Sequence, residues 1–490
     1  MREFKKQVAI LAVILLSLTS GIAAFAKSPG DEKPQSVILF IGDGMGANHV
    51  KATEIYAKQV LNRDLAISSI GISGSNTTHS ASSEITDSAA AATAIYTGFK
   101  VKNGQLNILP DGSPVQGIGM AAKKAGLAVG IVSTARITDA TPAALYATSS
   151  SRGSHDEIAV QLSEFMPDAA LGVGRRHFLH SAEKNGFRKD DVDVIARMKD
   201  KGYTYVEKLD ELNSMNPAEI QRLFGMFSDG DMPYAVDRKN NVSASRQPTL
   251  AELTKAALSI VEKNPKGFLL MVEGGRIDHA SHANDIRAMI EETLEFDDAI
   301  SVGLKFQETH PNVLVVVTAD HETGGLKQVG EAEFSIDPVK ISNLKKSLSH
   351  IEDSLRKHPE NQESVLRDAG LELTSEEMEI LRAAQIKAQE DKLAGKPSNA
   401  KASKYDTTGS LRALSVITSQ RAKVEWASNN HTGKPIITRA VGPGASLFEG
   451  NYDNTDIALK IAELLNLYIP RLDKKPEKKS SAVQNFKLAA

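Results

Sequence analysis

The chain has 490 residues, with 58 Lys and Arg against 61 Asp and Glu, a net charge of −3 and 5% aromatic residues. A near-neutral chain of this kind lacks the basic footprint of a nucleic-acid binder and the composition of a disordered polymer. Its length allows two or three average domains, or one large domain with insertions, and the absence of cysteine excludes disulfides and a lipoprotein anchor.

Residues 1–26 read as a secretory signal peptide. Arg2, Lys5 and Lys6 precede an apolar run from Val8 to Leu18 broken only by Ser17, and Ala24-Phe25-Ala26 supplies a small-x-small cleavage pattern. The run is shorter than the ~20 residues that span a bilayer. Cleavage after Ala26 is therefore expected, giving a mature protein that starts at Lys27, has no membrane anchor and is periplasmic or extracellular.

After a polar lead-in, Ser36–Ile41 (SVILFI) is a continuous apolar, β-prone run closed by Gly42-Asp43-Gly44. Ser88 then lies in ITDSAAAATAIYTG. The Ala-rich run predicts a helix with Ser88 at or near its N-terminus, where unpaired amides and the macrodipole favour negative charge; the plainer role for Asp87 or Ser88 is an N-cap. Leu127–Val132, Phe268–Val272 and Val313–Val317 repeat the form of the first run, and helical patterns lie between them over Leu250–Val261 and Ile286–Leu304. Such alternation predicts an α/β fold, a central mostly parallel β-sheet sandwiched by helices.

From about 340 to 422 the character changes. Ile341, Leu344, Leu348, Ile351 and Leu355 recur at three- and four-residue steps, and Thr374 with Glu377 forms a capping-box pattern. A helical insertion is expected here, its apolar positions packing on the parent domain, with a polar loop at Lys396–Lys404. The Lys- and Pro-rich stretch 470–490 reads as a solvated tail, which leaves 27–469 as the main domain.

In an open parallel α/β sheet, ligands gather at the carboxyl ends of strands. The first run ends in Asp43, the second leads to Asp139 and Thr141, the third ends in Glu273 and the fourth in Asp320-His321. One Asp in such a place is most often a turn former or an N-cap, but four carboxylates, a hydroxyl and an imidazole on one edge are a concentration. Glu273 also opens EGGRIDHASHA, in which Asp278 and His282 stand four apart and face one way if the segment is helical. Carboxylate plus imidazole suits zinc and an Asp/Glu/Thr oxygen set suits magnesium, although Asp-x-x-x-His alone is a weak motif.

Ile85–Thr93 (ITDSAAAAT) resembles the active-site signature of the alkaline phosphatases. VILFIGDGMG, VSTARITDATPAALYA, MVEGGRIDHASHA, VVVTADHETGG and NNHTG resemble further blocks of that family in the same order, from Ser36 to Leu467. The resemblance implies hydrolysis of phosphate monoesters to an alcohol and inorganic phosphate through a phosphoserine at Ser88. It also implies two zinc ions and one magnesium ion per subunit, an alkaline pH optimum and a homodimer. By the same resemblance, Asp278, His282 and His431 hold one zinc and Asp43, Asp320 and His321 the other. Asp43, Thr141 and Glu273 serve magnesium, and Arg152 grips phosphate. His431 in NNHTG and Arg152 in SSSRGS are by default surface residues, which spacing alone does not single out.

Two positions give a mixed pattern. Asp139 stands where bacterial members often have Asp and animal members His; His279 stands where an enteric member has Lys and animal members His. Effects on phosphate affinity, turnover and third-site metal preference are expected, the plainer alternative for His279 being a supporting hydrogen bond. Of the competing readings, sulfatases mature a Cys or Ser in C/S-x-P-x-R, whereas Ser88 is followed by four alanines. Phosphodiesterases of the superfamily usually use a Thr nucleophile and lack the third-site set. A non-catalytic metal- or phosphate-binding protein would be marked by loss of the nucleophile or a ligand, and the sequence retains them all.

Overall fold

The computed structural model describes residues 33–240, 247–330, 333–394 and 409–470. The expected signal peptide, the Lys396–Lys404 loop and the tail beyond 470 lie outside them. The strands are β1 (Ser36–Ile41), β2 (Ile72–Thr77), β3 (Ala128–Arg136), β4 (Ala169–Val173), β5 (Tyr203–Val206), β6 (Arg222–Met226) and β7 (Phe268–Glu273). They continue with β8 (Val313–Thr318), β9 (Glu322–Thr323), β10 (Leu326–Gln328), β11 (Val424–Trp426), β12 (His431–Thr432), β13 (Ile436–Val441) and β14 (Gly450–Asp453).

Ten of these form one sheet in the order β14-β2-β13-β8-β1-β7-β3-β4-β6-β5. Only β13 runs against its neighbours; the other pairs are parallel. The four apolar runs of the sequence are the adjacent central strands β8, β1, β7 and β3. Both of their faces are covered: Ile38 and Phe40 of β1 join one apolar core, while Val37, Leu39 and Ile41 join another across the sheet. Double burial is what makes these strands continuously apolar. The outer strands, such as ISGSNT in β2 and GNYD in β14, are partly polar and carry no such run.

The helices that bear on the site are α1 (Ser88–Thr97), α2 (Leu250–Val261), α3 (Arg276–His282), α4 (Ile286–Thr309), α5 (Leu348–Lys357), α6 (Ser375–Leu393) and α7 (Gly409–Arg421). α2 has the predicted bounds, and α4 continues past Leu304 to Thr309. α5, α6 and α7 lie between β10 and β11, which pair antiparallel with Leu326 opposite Trp426, so the helical segment leaves and rejoins the body at one place. Here the packing expectation is corrected. Ile341 joins a core of the main body, but Leu344, Leu348, Ile351 and Leu355 form a separate cluster with Leu366, Leu381 and Leu414. The capping box at Thr374 is present, Glu377 N–H donating to Thr374 Oγ1 (3.2 Å) and Thr374 N–H to Glu377 Oε2 (2.8 Å).

Candidate active site

The sheet register sets the site. Ile41 pairs with Glu273 on one side and with Thr318 on the other, and Ser133 pairs with Glu273, so the loops carrying Asp43, Glu273 and Asp320 leave the sheet side by side. Gly44, at φ 72°, lets the first loop pass α3: a Cβ there would lie 2.8 Å from the Asp278 Cα. The Gly44 N–H donates to Asp320 Oδ1 (3.1 Å), which ties two strand ends together.

α3 is short and helical, so Asp278 and His282 do share a face. His282 Nε2 is 3.3 Å from Asp278 Oδ2. His431 arrives from far along the chain on the ribbon β9–β12, opposite Thr323, which puts its Nε2 3.1 Å from His282 Nε2 and 3.7 Å from Asp278 Oδ1. Backbone carbonyls only accept hydrogen bonds, so His282 Nδ1, bonded to the Asn429 carbonyl, and His431 Nδ1, bonded to the Thr86 carbonyl (2.9 Å), both carry the proton. In the neutral rings the two Nε2 lone pairs then converge on one point beside the Asp278 carboxylate. Burial holds His431 below its ordinary pKa, which favours that neutral ring. Burial acts upward on Asp278, yet attraction to the His282 and His431 rings in their protonated forms outweighs it and pulls its pKa well below the usual range.

Beside this cluster lies a second. His321 Nε2 is 3.2 Å from Asp320 Oδ2, 3.7 Å from Asp43 Oδ1 and 3.2 Å from Ser88 Oγ. Thr323 Oγ1 donates to Asp278 Oδ1 (2.6 Å) and so accepts from His321 Nδ1 (3.3 Å), leaving His321 Nε2 as a free lone pair toward the serine. The third group contains only oxygen donors. Thr141 Oγ1 donates to Asp43 Oδ2 (3.3 Å), and Glu273, 1% exposed, accepts from Ser133 Oγ.

Asp43 Oδ1, Asp320 Oδ2 and Glu273 Oε1 are buried without a hydrogen-bond donor among the described residues. Burial, then mutual repulsion, pushes the pKa of Asp43 well up; burial leads the upward shifts of Asp320 and Glu273 as well. Carboxylates so arranged suit a cation placed among them. The donor separations agree: a tetrahedral ion with 2.0–2.1 Å bonds has ligand–ligand edges of about 3.4 Å, against the observed 3.1, 3.3 and 3.7 Å in the first cluster. Two imidazoles with a carboxylate, and one imidazole with two carboxylates, are sets suited to zinc; the oxygen-only group suits a hard ion such as magnesium. The expected residues therefore fit the groups assigned to them.

Ser88 is the first residue of α1, whose cap is Asp87 (Asp87 Oδ1 accepting Ala90 N–H, 3.0 Å). The cap is thus Asp87, and Ser88 stands at the helix start as the Ala-rich run predicts. Arg152 stands across the opening and is held by two carboxylates, Nη1 to Asp87 Oδ2 and Nη2 to Asp139 Oδ1, each at 3.1 Å. Burial opposes its charge, but Asp139 and Asp87 more than offset this and keep the guanidinium protonated. Ser88, Arg152, Asp139 and His279 line one cavity of about 580 Å³ with Asp278, His282 and His431.

Sequence reasoning missed the support around Asp139 and His279. Arg136, at the end of β3, donates to Asp139 Oδ2 (2.6 Å) and lies 3.6 Å from Asp231. Arg276 donates to His279 Nδ1, since a guanidinium cannot accept, which leaves the ring proton on Nε2. Asp231 follows β6, a strand whose Arg and Gly (RLFGM) hide it from a search for apolar runs, so its loop gave no signal.

Comparison with known proteins agrees with this geometry. The family described as Alkaline phosphatase matches residues 34–467. Alkaline phosphatase 4 of Bacillus subtilis is 32% identical over 468 residues, covering 91% of this chain and 94% of that protein. Alkaline phosphatase of Escherichia coli is 34% identical over 342 residues, covering 61% and 72%. The crystal structure of Thermus thermophilus alkaline phosphatase superposes with a TM-score of 0.77 at 29% identity, covering 92% of this chain and 96% of that one. The matched stretch contains Ser88, Arg152 and every residue of the three donor groups, and the chain belongs to the alkaline phosphatase family of metal-dependent phosphoric monoester hydrolases.

Proposed function

We propose that the protein hydrolyses phosphate monoesters through a phosphoserine at Ser88, with two zinc ions and one magnesium ion. The observation that carries the reading is Ser88 Oγ at a helix N-terminus, 3.2 Å from His321 Nε2 and lining one cavity with Asp278, His282 and His431. Asp278, His282 and His431 would hold the first zinc, Asp43, Asp320 and His321 the second, and Asp43, Thr141 and Glu273 the magnesium. When bound, such ions supply Lewis acidity that stabilises negative charge on oxygen.

The chain's own groups do the rest. Ser88 Oγ attacks phosphorus in line as the ester P–O bond breaks and the alcohol departs; water then attacks the phosphoserine, releasing inorganic phosphate and restoring the hydroxyl. The first amides of α1 favour the negative charge that develops at Ser88. Arg152, preset by Asp87 and Asp139, offers two N–H groups to two nonbridging phosphate oxygens. A monoester dianion carries one more negative charge than a diester, so the cationic fork favours monoesters. Export, from the pattern at residues 1–26, and assembly as a homodimer, from family membership, complete the reading.

The test is hydrolysis of a chromogenic phosphomonoester against the matching diester, with and without chelator, by wild type and Ser88→Ala. Monoester turnover that is lost with chelator and in Ser88→Ala is the expected result; preference for the diester, or activity indifferent to chelator, contradicts it.

A further inference from the structure

The helical segment reaches the site through one helix. α7 runs into β11, and β11 leads through residues 427–430 to His431 in β12. Ser415, buried in α7, donates to the Asn284 carbonyl (3.2 Å), and Arg412 Nη1, also in α7, reaches Asn429 Oδ1 (3.4 Å). Trp426 Nε1, closing β11, donates to Ser419 Oγ of α7 (3.2 Å).

Asn284 and Asn429 lie between that helix and the histidines. Asn284 is 3% exposed and adopts a left-handed φ of 51°, a conformation Asn tolerates better than most residues. Its Nδ2 donates to the carbonyls of Ser281 (3.0 Å) and Ser428 (2.9 Å), and its Oδ1 accepts from Asn429 Nδ2 (2.8 Å). Asn429 Nδ2 also donates to the His282 carbonyl (2.9 Å), while the Asn429 carbonyl accepts from His282 Nδ1. The segments bearing His282 and His431, far apart in sequence, are cross-linked by these two amides, and the His282 tautomer is set by a residue that α7 touches.

We propose that α7 with Asn284 and Asn429 forms a clamp that sets the metal affinity of the Asp278/His282/His431 cluster, which gives the helical segment a part in the chemistry. The inference rests on the zinc reading above. Converging lone pairs repel, so two rings left to themselves turn apart; a scaffold that fixes them meets that cost during folding rather than when the ion binds. Ser415, Asn284 and Asn429 are positioning residues, since none belongs to the ligand set itself.

The test is zinc titration of the metal-free full chain against a competing chromogenic chelator, with the visible absorption of cobalt(II)-loaded protein as a readout of ligand geometry. Asn284→Gly, which keeps the left-handed backbone accessible, is expected to weaken one zinc class by about 10- to 100-fold, to leave the other at wild-type affinity and to shift the cobalt bands. Ser415→Ala is expected to weaken the same class by a smaller factor, and as a small replacement inside a helix it keeps the fold. Wild-type affinities and spectra in both variants, or in Ser415→Ala alone should Asn284→Gly not fold, overturn the clamp. His282→Ala separates the two claims. It is expected to lose that zinc class, and if it binds zinc as wild type does, the zinc reading itself falls.

Discussion

The Nε2 atoms of His282 and His431 face each other across 3.1 Å, while their Nδ1 protons are committed to the carbonyls of Asn429 and Thr86. Thr86 lies two residues before Ser88, so the same hydrogen bond ties a proposed metal ligand to the turn that presents the proposed nucleophile. Without an ion, this arrangement sets lone pair against lone pair beside a cluster of carboxylates.

Metal removal is therefore expected to destabilise the fold as well as the activity. Chelated protein should melt at a lower temperature than zinc- and magnesium-loaded protein, by an amount that grows with free metal. Asp278→Ala and His431→Ala should lower zinc occupancy and recover part of their activity in excess zinc. Calorimetry with metal analysis checks this, and equal melting temperatures with and without chelator contradict it.

Ser88→Ala should reduce monoester turnover by at least ~10³-fold. Metal content should stay near wild type, because serine supplies only one oxygen, and stability should change by less than about 1 kcal/mol, because alanine is a good helix former. Steady-state kinetics, metal analysis and thermal melts on one preparation decide it.

The legible parts of the sequence were those with a repeated physical demand. SVILFI has the bounds of β1 because both faces of that strand are buried, and Asp278 with His282 fall on one side of α3 because helical spacing puts them there. The outer strands β2 and β14 escaped because their exposed polar positions interrupt any apolar run. His431 was placed only by resemblance. Its position depends on a two-residue ribbon pairing with β9, a long-range contact that leaves no local pattern. Asn284 and Asn429 act through side-chain amides and backbone carbonyls, for which no spacing rule exists. Asp231 sits after a strand that was itself not visible.

His279 lines the cavity and accepts from Arg276 through Nδ1. A lysine there adds a positive charge and cannot accept that bond. His279→Lys is expected to tighten phosphate inhibition by about fivefold, corresponding to about 1 kcal/mol for a charge in a partly solvated site. It should also lower kcat where product release is limiting. The phosphate inhibition constant and kcat across alkaline pH check this; an unchanged constant assigns His279 to the support of Arg276 instead.

His49 is buried, accepts the Gly46 N–H through Nδ1 (3.2 Å) and pairs with Ser281 Oγ through Nε2 (3.1 Å). Burial pushes its pKa from 6.5 down to about 3. The unfolded chain therefore binds the extra proton below pH 6.5 while the native protein does not until about pH 3. This ring's contribution is full above that window and is lost as pH falls through it, at up to ~1.4 kcal/mol per pH unit. Denaturant unfolding of wild type and His49→Gln between pH 7 and about 4 should show a shallower acid decline in the variant; parallel declines contradict the assignment.

The central claim is a covalent phosphoryl group on Ser88. Rapid acid quench of the metal-loaded protein during turnover of a phosphomonoester, followed by peptide mass mapping, tests it most directly. The account predicts the mass of one phosphoryl group on the peptide containing Ser88, absent in Ser88→Ala and absent when chelator is added before substrate. Turnover with no covalent phosphate at any time, or with the phosphoryl group on another residue, contradicts it.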